Sequence, residues 1–196
     1  MKNDSYHHQN LKNEMIEKGI ELVNEHGAEQ LSLRKVAQAC GVSHAAPYSH
    51  FSGKEELIAA MQQHITEQFT KKLEETVLIY KGTPTFLLEF GKAYISFFIR
   101  HPQYYHFLFQ QENVKVSFDL DIVCDDEYKP FSIYKSQMMK FLSDSDMEQK
   151  KKEDYLIALF AYVHGIASIA TMKNTSHGKD WENRLSDLLA LFQFEF

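Results

Sequence analysis

The sequence has little of what secreted, metal-binding and β-rich proteins depend on. Its 196 residues include only two cysteines, Cys40 and Cys124, which cannot supply a disulfide framework or a paired cysteine metal site. No sustained alternation of apolar and polar residues occurs, and there is no Asn-Gly or Asp-Gly turn, so strands are not predicted. The polar N-terminus lacks the apolar run of a secretory signal. These absences favour an all-helical protein of a reducing cytoplasm.

The common catalytic motifs are missing as well. The chain has no Gly-x-Ser-x-Gly, no phosphate-binding glycine loop, no His-Glu-x-x-His and no Cys-x-x-Cys. An acidic run from Asp119 to Glu127 could bind a hard cation, but a solvated loop is the favoured interpretation. We therefore expect no enzyme activity, no metal and no cofactor.

One long uncharged stretch, residues 155–172, reaches the length threshold for a membrane span. It contains Tyr162, His164, Gly165 and Ser168, and this polar content favours a buried helix over a span. We expect no membrane association.

The net charge of −6 is mildly unfavourable for a nucleic-acid binder. The charge is uneven, however, because residues 31–54 contain Arg34, Lys35 and Lys54 and no acidic residue. A positive island in an acidic chain suits a protein that reads a short, specific DNA site.

What is present is helical periodicity, punctuated by caps and breakers. The first helix should stop at His26-Gly27, where glycine can adopt the left-handed conformation. Ser32 is predicted to cap a helix over residues 33–40, and Ser43 to cap another over residues 44–51. Ser52 and Glu55 fit a capping box that opens a long helix over residues 54–80.

Breakers at Gly82-Thr83-Pro84 and His101-Pro102 divide the remaining helices. The apolar spacing predicts helices over residues 85–100, 102–112, 128–142, 147–172 and 180–194.

Residues 32–51 combine two short helices and a glycine turn, which is the helix-turn-helix arrangement. The small residues that open its second helix would let the backbone approach the floor of the major groove, and His44 can contact a base edge or a phosphate. The hydroxyls of Ser32, Ser43 and Tyr48 and the charge of Lys54 suit phosphate oxygens. The alternative is an ordinary helical hairpin with surface serines.

The order and spacing of these residues resemble the N-terminal DNA-binding domain of the TetR family, over about residues 8–68. The resemblance is carried by Ser32-Leu33-Arg34-Lys35-Val36-Ala37, Gly41-Val42-Ser43 and Tyr48-x-His50-Phe51-x-x-Lys54-Glu55-x-Leu57. It implies two domains, a DNA-binding domain over residues 1–53 and a regulatory, ligand-binding and dimerisation domain over residues 54–196. It also implies phosphate contacts by Tyr48, His50 and Lys54. The full predicted DNA-binding set is Ser32, Arg34, Ser43, His44, Ala45, Tyr48, Ser49, His50 and Lys54.

The C-terminal half resembles the subgroup of that family named for a Trp-His-Gly motif. The matching runs are His101-Pro102-x-Tyr104-Tyr105-x-Phe107-x-Phe109 and Val163-His164-Gly165-Ile166-Ala167. The tryptophan of the motif is absent, and Phe160 or Tyr162 takes its place.

An unusually aromatic C-terminal half is consistent with a cavity for an apolar or aromatic ligand. The predicted ligand-binding residues are Phe90, Tyr94, Phe97, Tyr104, Phe107, Tyr134, Met138, Phe160 and His164. For each residue alone, ordinary core packing is the favoured alternative, and His164 is more simply a hydrogen-bonded core histidine.

Together these features predict a cytoplasmic transcriptional regulator, in the first place a repressor that a small-molecule effector releases from its operator. The resemblance implies a homodimer, formed by the last two helices, on palindromic double-stranded DNA. Apolar residues such as Ile157, Phe160, Leu188 and Phe192 are candidates for that interface. The alternatives are an activator or ligand-independent repressor, and a helical carrier or enzyme that has lost DNA binding.

Overall fold

The computed structural model describes residues 2–110, 114–120, 127–143, 146–173 and 180–191. Within these ranges the chain forms α-helices and two short 3-10 turns, with no strand, so the predicted all-helical class is confirmed. The helices are α1 Lys2–His26, α2 Leu33–Ala39, α3 Lys54–Tyr80, α4 Phe86–Arg100, α5 Pro102–Gln110, α6 Lys129–Phe141, α7 Gln149–Thr171 and α8 Trp181–Ala190. The 3-10 turns are Ala28–Gln30 and Ala46–Ser49. Cys124, Phe192 and most of the acidic run lie outside the described residues.

The chain divides into two compact units. The described residues up to Glu67, together with those from His106 to Gln110, form the N-terminal unit. Gln68 to Tyr105, with the described residues from Val114 onward, form the C-terminal unit. This division falls inside α3, whereas the predicted domain limit lies just before α3; the limits at 53 and 54 stay a prediction.

The core of the N-terminal unit lies where α1 meets the first half of α3. Met15 and Ile20 of α1 and Met61 and Ile65 of α3 have no exposed surface. A Cβ at Gly19 would lie 2.9 Å from the sulfur of Met61, so the two helices depend on a glycine for their close approach. On the same helices the Nε2 atom of His64 lies 2.7 Å from a carboxylate oxygen of Glu17.

Two of the predicted helix ends are confirmed. Gly27 follows α1 with a φ of +84°, in the region that favours glycine. The Ser32 hydroxyl accepts a hydrogen bond from the Lys35 backbone N–H at 3.2 Å, which caps α2.

The predicted capping box of Ser52 and Glu55 at the start of α3 is wrong, because the Ser52 hydroxyl acts as a hydrogen-bond donor to another residue. Both the backbone N–H and the hydroxyl of Ser52 donate to the Glu56 carboxylate, each at 2.6 Å, and Glu55 does not take that role. The reason is that α3 begins at Lys54, so Gly53 and not Ser52 directly precedes the helix, and Glu56 is its third residue. The two hydrogen bonds from Ser52 lower the pKa of Glu56.

The C-terminal unit is built on α4, which packs against both α7 and α8. Gly91 of α4 makes this packing close, since a Cβ there would lie 3.4 Å from side-chain atoms of Val163 and Leu189. The buried face of α4 carries Phe90, Tyr94, Phe97 and Phe98.

The prediction that the uncharged stretch forms a buried helix is wrong for the single chain. Its helix, α7, buries only Leu156, Ile166, Ala167 and Thr171. Within the described residues α7 is the one helix that is long and apolar enough to span a membrane by length and composition. Only 17% of its most apolar 18-residue stretch is buried. An apolar helix that its own chain leaves uncovered needs another partner, and the core helices of soluble proteins pass the same test of length and composition.

Candidate DNA-binding surface and regulatory core

The second helix of the predicted helix-turn-helix is a 3-10 turn, Ala46–Ser49, and not the α-helix expected over residues 44–51. Pro47 explains the difference, because a proline has no N–H to donate to the carbonyl of Ser43 four residues earlier. That carbonyl instead accepts from Ala46 at 3.0 Å, the i to i+3 pattern of a 3-10 turn. Tyr48 then donates to Ala45 in the same pattern, at 3.2 Å.

The same proline anchors the turn. Pro47 and Phe51 are buried, and the backbone N–H groups of His50 and Phe51 both donate to the Pro47 carbonyl at 2.9 Å. The Lys12 ammonium lies 5.6 Å from the centre of the Phe51 ring. Because Pro47 and Phe51 are held in the core, the other side chains of the turn point outward. The predicted α-helix over residues 44–51 did not include this positioning role of Pro47.

Most of the predicted DNA-binding residues are on the outside of the N-terminal unit. The side chain of Tyr48 is 63% exposed, which is unusual for a large aromatic residue. The exposed members of the set are Arg34, Ser43, His44, Ala45, Tyr48 and Ser49, and the half-buried members are Ser32, His50 and Lys54. The predicted DNA-binding residues therefore lie on the surface of this unit, as a binding function requires.

Two members of the set already make contacts within the chain. The Lys54 ammonium donates to the backbone carbonyl of Glu29 at 3.2 Å, which holds this cation beside the 3-10 turn Ala28–Gln30. The Ser49 hydroxyl donates to the Ala46 carbonyl at 2.7 Å. Lys54 is thus positioned before any ligand is bound, whereas Ser49 would have to turn its hydroxyl to contact a base.

In the C-terminal unit, His164 of α7 lies between two tyrosines. The Tyr94 hydroxyl is 2.8 Å from Nδ1 of His164, and the Tyr105 hydroxyl is 3.0 Å from Nε2. The Phe160 ring stacks on the imidazole with centroids 5.3 Å apart. Since a neutral imidazole has one donor and one acceptor nitrogen, one tyrosine donates to the ring and the other accepts from it.

Burial keeps this group of three uncharged. It lowers the pKa of His164 and raises the pKa of Tyr94 and of Tyr105. The predicted ligand-binding set includes His164, Tyr94 and Tyr104 but not Tyr105. In a Tyr-Tyr doublet on a short helix, the sequence does not indicate which ring faces the histidine.

The remaining predicted ligand residues also pack in the interior. Phe97 stacks on Phe69 at 4.7 Å, and the Tyr104 hydroxyl accepts from the Gln68 amide at 3.3 Å. The Tyr134 hydroxyl donates to the Leu156 carbonyl at 2.5 Å. Phe90 and Met138 are buried in the C-terminal unit, Phe160 is half-buried there, and Phe107 is buried in the N-terminal unit. All of these positions are compatible with the core-packing alternative, and their ligand role stays a prediction.

Part of the N-terminal unit is similar to a known protein family. Residues 15–61 match the family model described as "Bacterial regulatory proteins, tetR family". This match includes α2 and the 3-10 turn, so this region is similar to the DNA-binding region of that family. None of the curated proteins matches the chain.

Solved structures show the same fold over nearly the whole chain. A regulatory protein of the tetR family from Rhodococcus RHA1 matches with a TM-score of 0.71 and 13% identity, covering 92% of this chain and 94% of that one. A TerR/AcrR family transcriptional regulator from Aquifex aeolicus VF5 matches with a TM-score of 0.63 and 19% identity, covering 92% and 98%. A gamma-butyrolactone receptor, an ArpA-like protein, matches with a TM-score of 0.62 and 17% identity, covering 95% and 97%. These matches show that the chain shares its fold with these proteins.

Proposed function

We propose that this protein is a transcriptional repressor that binds a palindromic operator as a homodimer and is released from it by a small apolar or aromatic effector. The observation that carries the proposal is the exposed 3-10 turn of the TetR-type unit, in which Pro47 is buried and Tyr48 is exposed. An exposed tyrosine in a segment whose charged residues, Arg34, Lys35 and Lys54, are all cations is suited to a DNA backbone.

The proposed contacts divide into two kinds. Tyr48, His50 and Lys54 contact phosphates, and the hydroxyls of Ser32 and Ser43 with the Arg34 guanidinium extend that set. His44, Ala45 and Ser49 face the bases. The small side chains of Ala45 and Ser49 let the turn enter the major groove closely, which compensates for the shortness of the turn.

The homodimer is proposed from the surface of α7 and α8. Ile157, Ile169 and Met172 are exposed along or just after α7, and Leu191 after α8 is 77% exposed. A Cβ at Gly165 of α7 meets no described atom within 4 Å, so a second helix could approach there. A second copy would cover these apolar side chains, and two readers one DNA turn apart, about 34 Å, require a palindromic site.

The effector is proposed to act through the C-terminal unit. The aromatic interior and the neutral Tyr94–His164–Tyr105 group favour an apolar molecule with a few hydrogen-bonding groups over a sugar or a nucleotide. The fold shared with a gamma-butyrolactone receptor is consistent with a small-molecule ligand. Because α3 is one continuous helix that contributes to both units, a ligand that shifts it would alter the position of the DNA-binding residues.

We place the protein in the cytoplasm, where its DNA is, and propose no enzyme activity. We also assign it to the Trp-His-Gly subgroup, on the sequence Val163-His164-Gly165 within α7 and the start of α5 at Pro102.

A mobility-shift assay on the DNA upstream of the protein's own gene tests the function. We expect a specific complex at nanomolar concentration that competing DNA of unrelated sequence does not remove. A thermal-shift screen of hydrophobic drugs, dyes, fatty acids and sugars then tests the effector, since a ligand that binds only the folded state raises the melting temperature. Stabilisation and DNA release by sugars or nucleotides alone would contradict the apolar effector.

A further inference from the structure

A groove of about 750 Å³ lies between the last two turns of α3 and the length of α6, both within the C-terminal unit. One stripe of each helix forms a wall, with residues spaced three and four apart as on a single helical face. The first wall is Glu74, Val77 and Leu78 of α3 with Lys81 directly after the helix, and the α6 wall is Lys129, Ser132, Ile133, Ser136 and Gln137.

The groove face of α6 is separate from its core face. Phe131, Tyr134 and Met138 are buried along the other side of the helix, so the groove is not a gap left in the core. Its apolar part is formed by Val77, Leu78 and Ile133, and Leu78 is 86% exposed. A leucine so exposed, facing a groove with other apolar side chains beside it, is suited to an apolar ligand.

The charges of the groove select the sign of that ligand. The ammonium groups of Lys81 and Lys129 outnumber the single carboxylate of Glu74. Lys129 is also the first residue of α6, where the helix dipole adds positive potential. Ser136 and Gln137 supply neutral hydrogen-bonding groups. The combination favours an anionic group with an apolar body and disfavours an organic cation.

We propose that this groove binds a small anionic amphiphile, a monocarboxylate with an apolar chain. The carboxylate binds Lys81 and Lys129, and the chain lies on Val77, Leu78 and Ile133. The volume is within the range of small-molecule sites, about 300–1,000 Å³. None of the predicted effector residues lines the groove. The site therefore differs from the proposed effector site, and its occupation does not depend on operator binding.

Isothermal titration of the full chain with sodium decanoate, below its micelle-forming concentration, tests the site. We expect saturable binding with one decanoate per chain. Decanol and decyltrimethylammonium should bind about tenfold more weakly or not at all, because they lack the anion. Lys81→Gln and Lys129→Gln should each weaken decanoate binding about threefold, and together about tenfold, as expected for partly exposed ion pairs. The matched control is Lys140→Gln, an exposed lysine of α6 outside the groove, which should bind as the native chain does.

Leu78→Asp should abolish binding while the helical circular dichroism stays native, since Leu78 is exposed and supports no core. The proposal is overturned if decanoate does not bind, if decanol binds equally well, or if the two lysine variants bind like the native chain. It is also overturned if Tyr94→Phe, in the aromatic interior, weakens binding while Leu78→Asp does not. A mobility-shift assay with the same variants distinguishes failure of the groove proposal from failure of the proposed DNA binding. The groove variants keep every predicted DNA-binding residue, so they should bind the operator as the native chain does.

Discussion

The two units of this chain use their aromatic and polar residues in opposite ways. In the N-terminal unit the predicted DNA-binding side chains lie outside the core, and Tyr48 is exposed while Pro47 and Phe51 hold the turn from within. In the C-terminal unit the predicted functional side chains are the core, and Tyr94 and Phe97 are buried against other rings. The residues of a surface site can thus be distinguished from those that stabilise the fold, whereas the residues of an interior site also form the core.

This difference predicts that stability and function separate in the first unit and overlap in the second. A substitution on the exposed turn should change binding and leave folding intact. A substitution among the buried rings should change folding before any ligand effect can be measured. The following substitutions test this contrast.

The largest expected effect is on the stability of the C-terminal unit. Phe98 is fully buried and contacts the rings of Phe69 and Tyr94. Phe98→Ala should lower the free energy of unfolding by about 3–5 kcal/mol through lost burial and a cavity. Urea denaturation measures this, with Leu78→Ala as the exposed control that should stay within about 0.5 kcal/mol of the native value. Equal effects of the two substitutions would contradict the assigned core.

The next effect concerns the apolar surface of α7. Ile169→Asp should raise the dissociation constant of the dimer at least ~100-fold, because a carboxylate would be buried at an apolar interface. Ile79→Asp is the matched control, since Ile79 is an exposed isoleucine of α3 outside the proposed interface. Analytical ultracentrifugation distinguishes the two. A native chain that sediments as a stable monomer at micromolar concentration would refute the dimer altogether.

A smaller effect is expected on the exposed turn. Tyr48→Phe combined with Lys54→Ala should weaken operator binding about 30-fold at each half-site, since each change removes a phosphate contact of about 1 kcal/mol. Loss of one cation from each protomer of the proposed dimer should also reduce the slope of log affinity against log salt by about two units. Fluorescence anisotropy at several salt concentrations measures both quantities, and Lys71→Ala on an exposed part of α3 is the control. Unchanged affinity with native circular dichroism would remove both residues from the interface.

The smallest effect is the pH dependence contributed by His164. Burial holds its pKa in the folded chain below the value of about 6.5 expected in the unfolded chain. The unfolded chain therefore takes up the proton first as the pH falls below about 6.5, and folded stability decreases until the folded pKa is passed. Urea denaturation at pH 7.5 and 5.5 should show a smaller loss for His164→Gln than for the native chain. The same substitution at exposed His26 is the control, and identical pH profiles for native and His164→Gln chains would exclude this role.

Local signals were enough to predict much of the fold. The spacing of apolar residues and the breakers at Gly82 and Pro102 give the bounds of α3 and α4 almost to the residue. The cap by Ser32 and the glycine turn after α1 are likewise local and are confirmed. The prediction of an α-helix over residues 44–51 was wrong, because the missing N–H of Pro47 has a larger effect on a short helix than the cap at Ser43.

The candidate sites were predictable only in part. Exposure of Tyr48 follows from a helix-turn-helix pattern that fixes which face is outward. The pairing of His164 with Tyr94 and Tyr105 joins residues 70 and 59 positions apart, and no local pattern encodes it. The α3–α6 groove was missed for the same reason, although the apolar run ending α3 at Leu78 and Ile79 was visible in the sequence.

Footprinting of the native protein on the DNA upstream of its own gene tests the central claim most directly. The account predicts two protected half-sites related by a palindrome and centred about one helical turn apart. Protection should disappear with Tyr48→Phe and Lys54→Ala at the protein concentration that saturates the native complex. Absence of any protected site, or protection that the double variant retains in full, would contradict a TetR-type regulator that reads DNA through this turn.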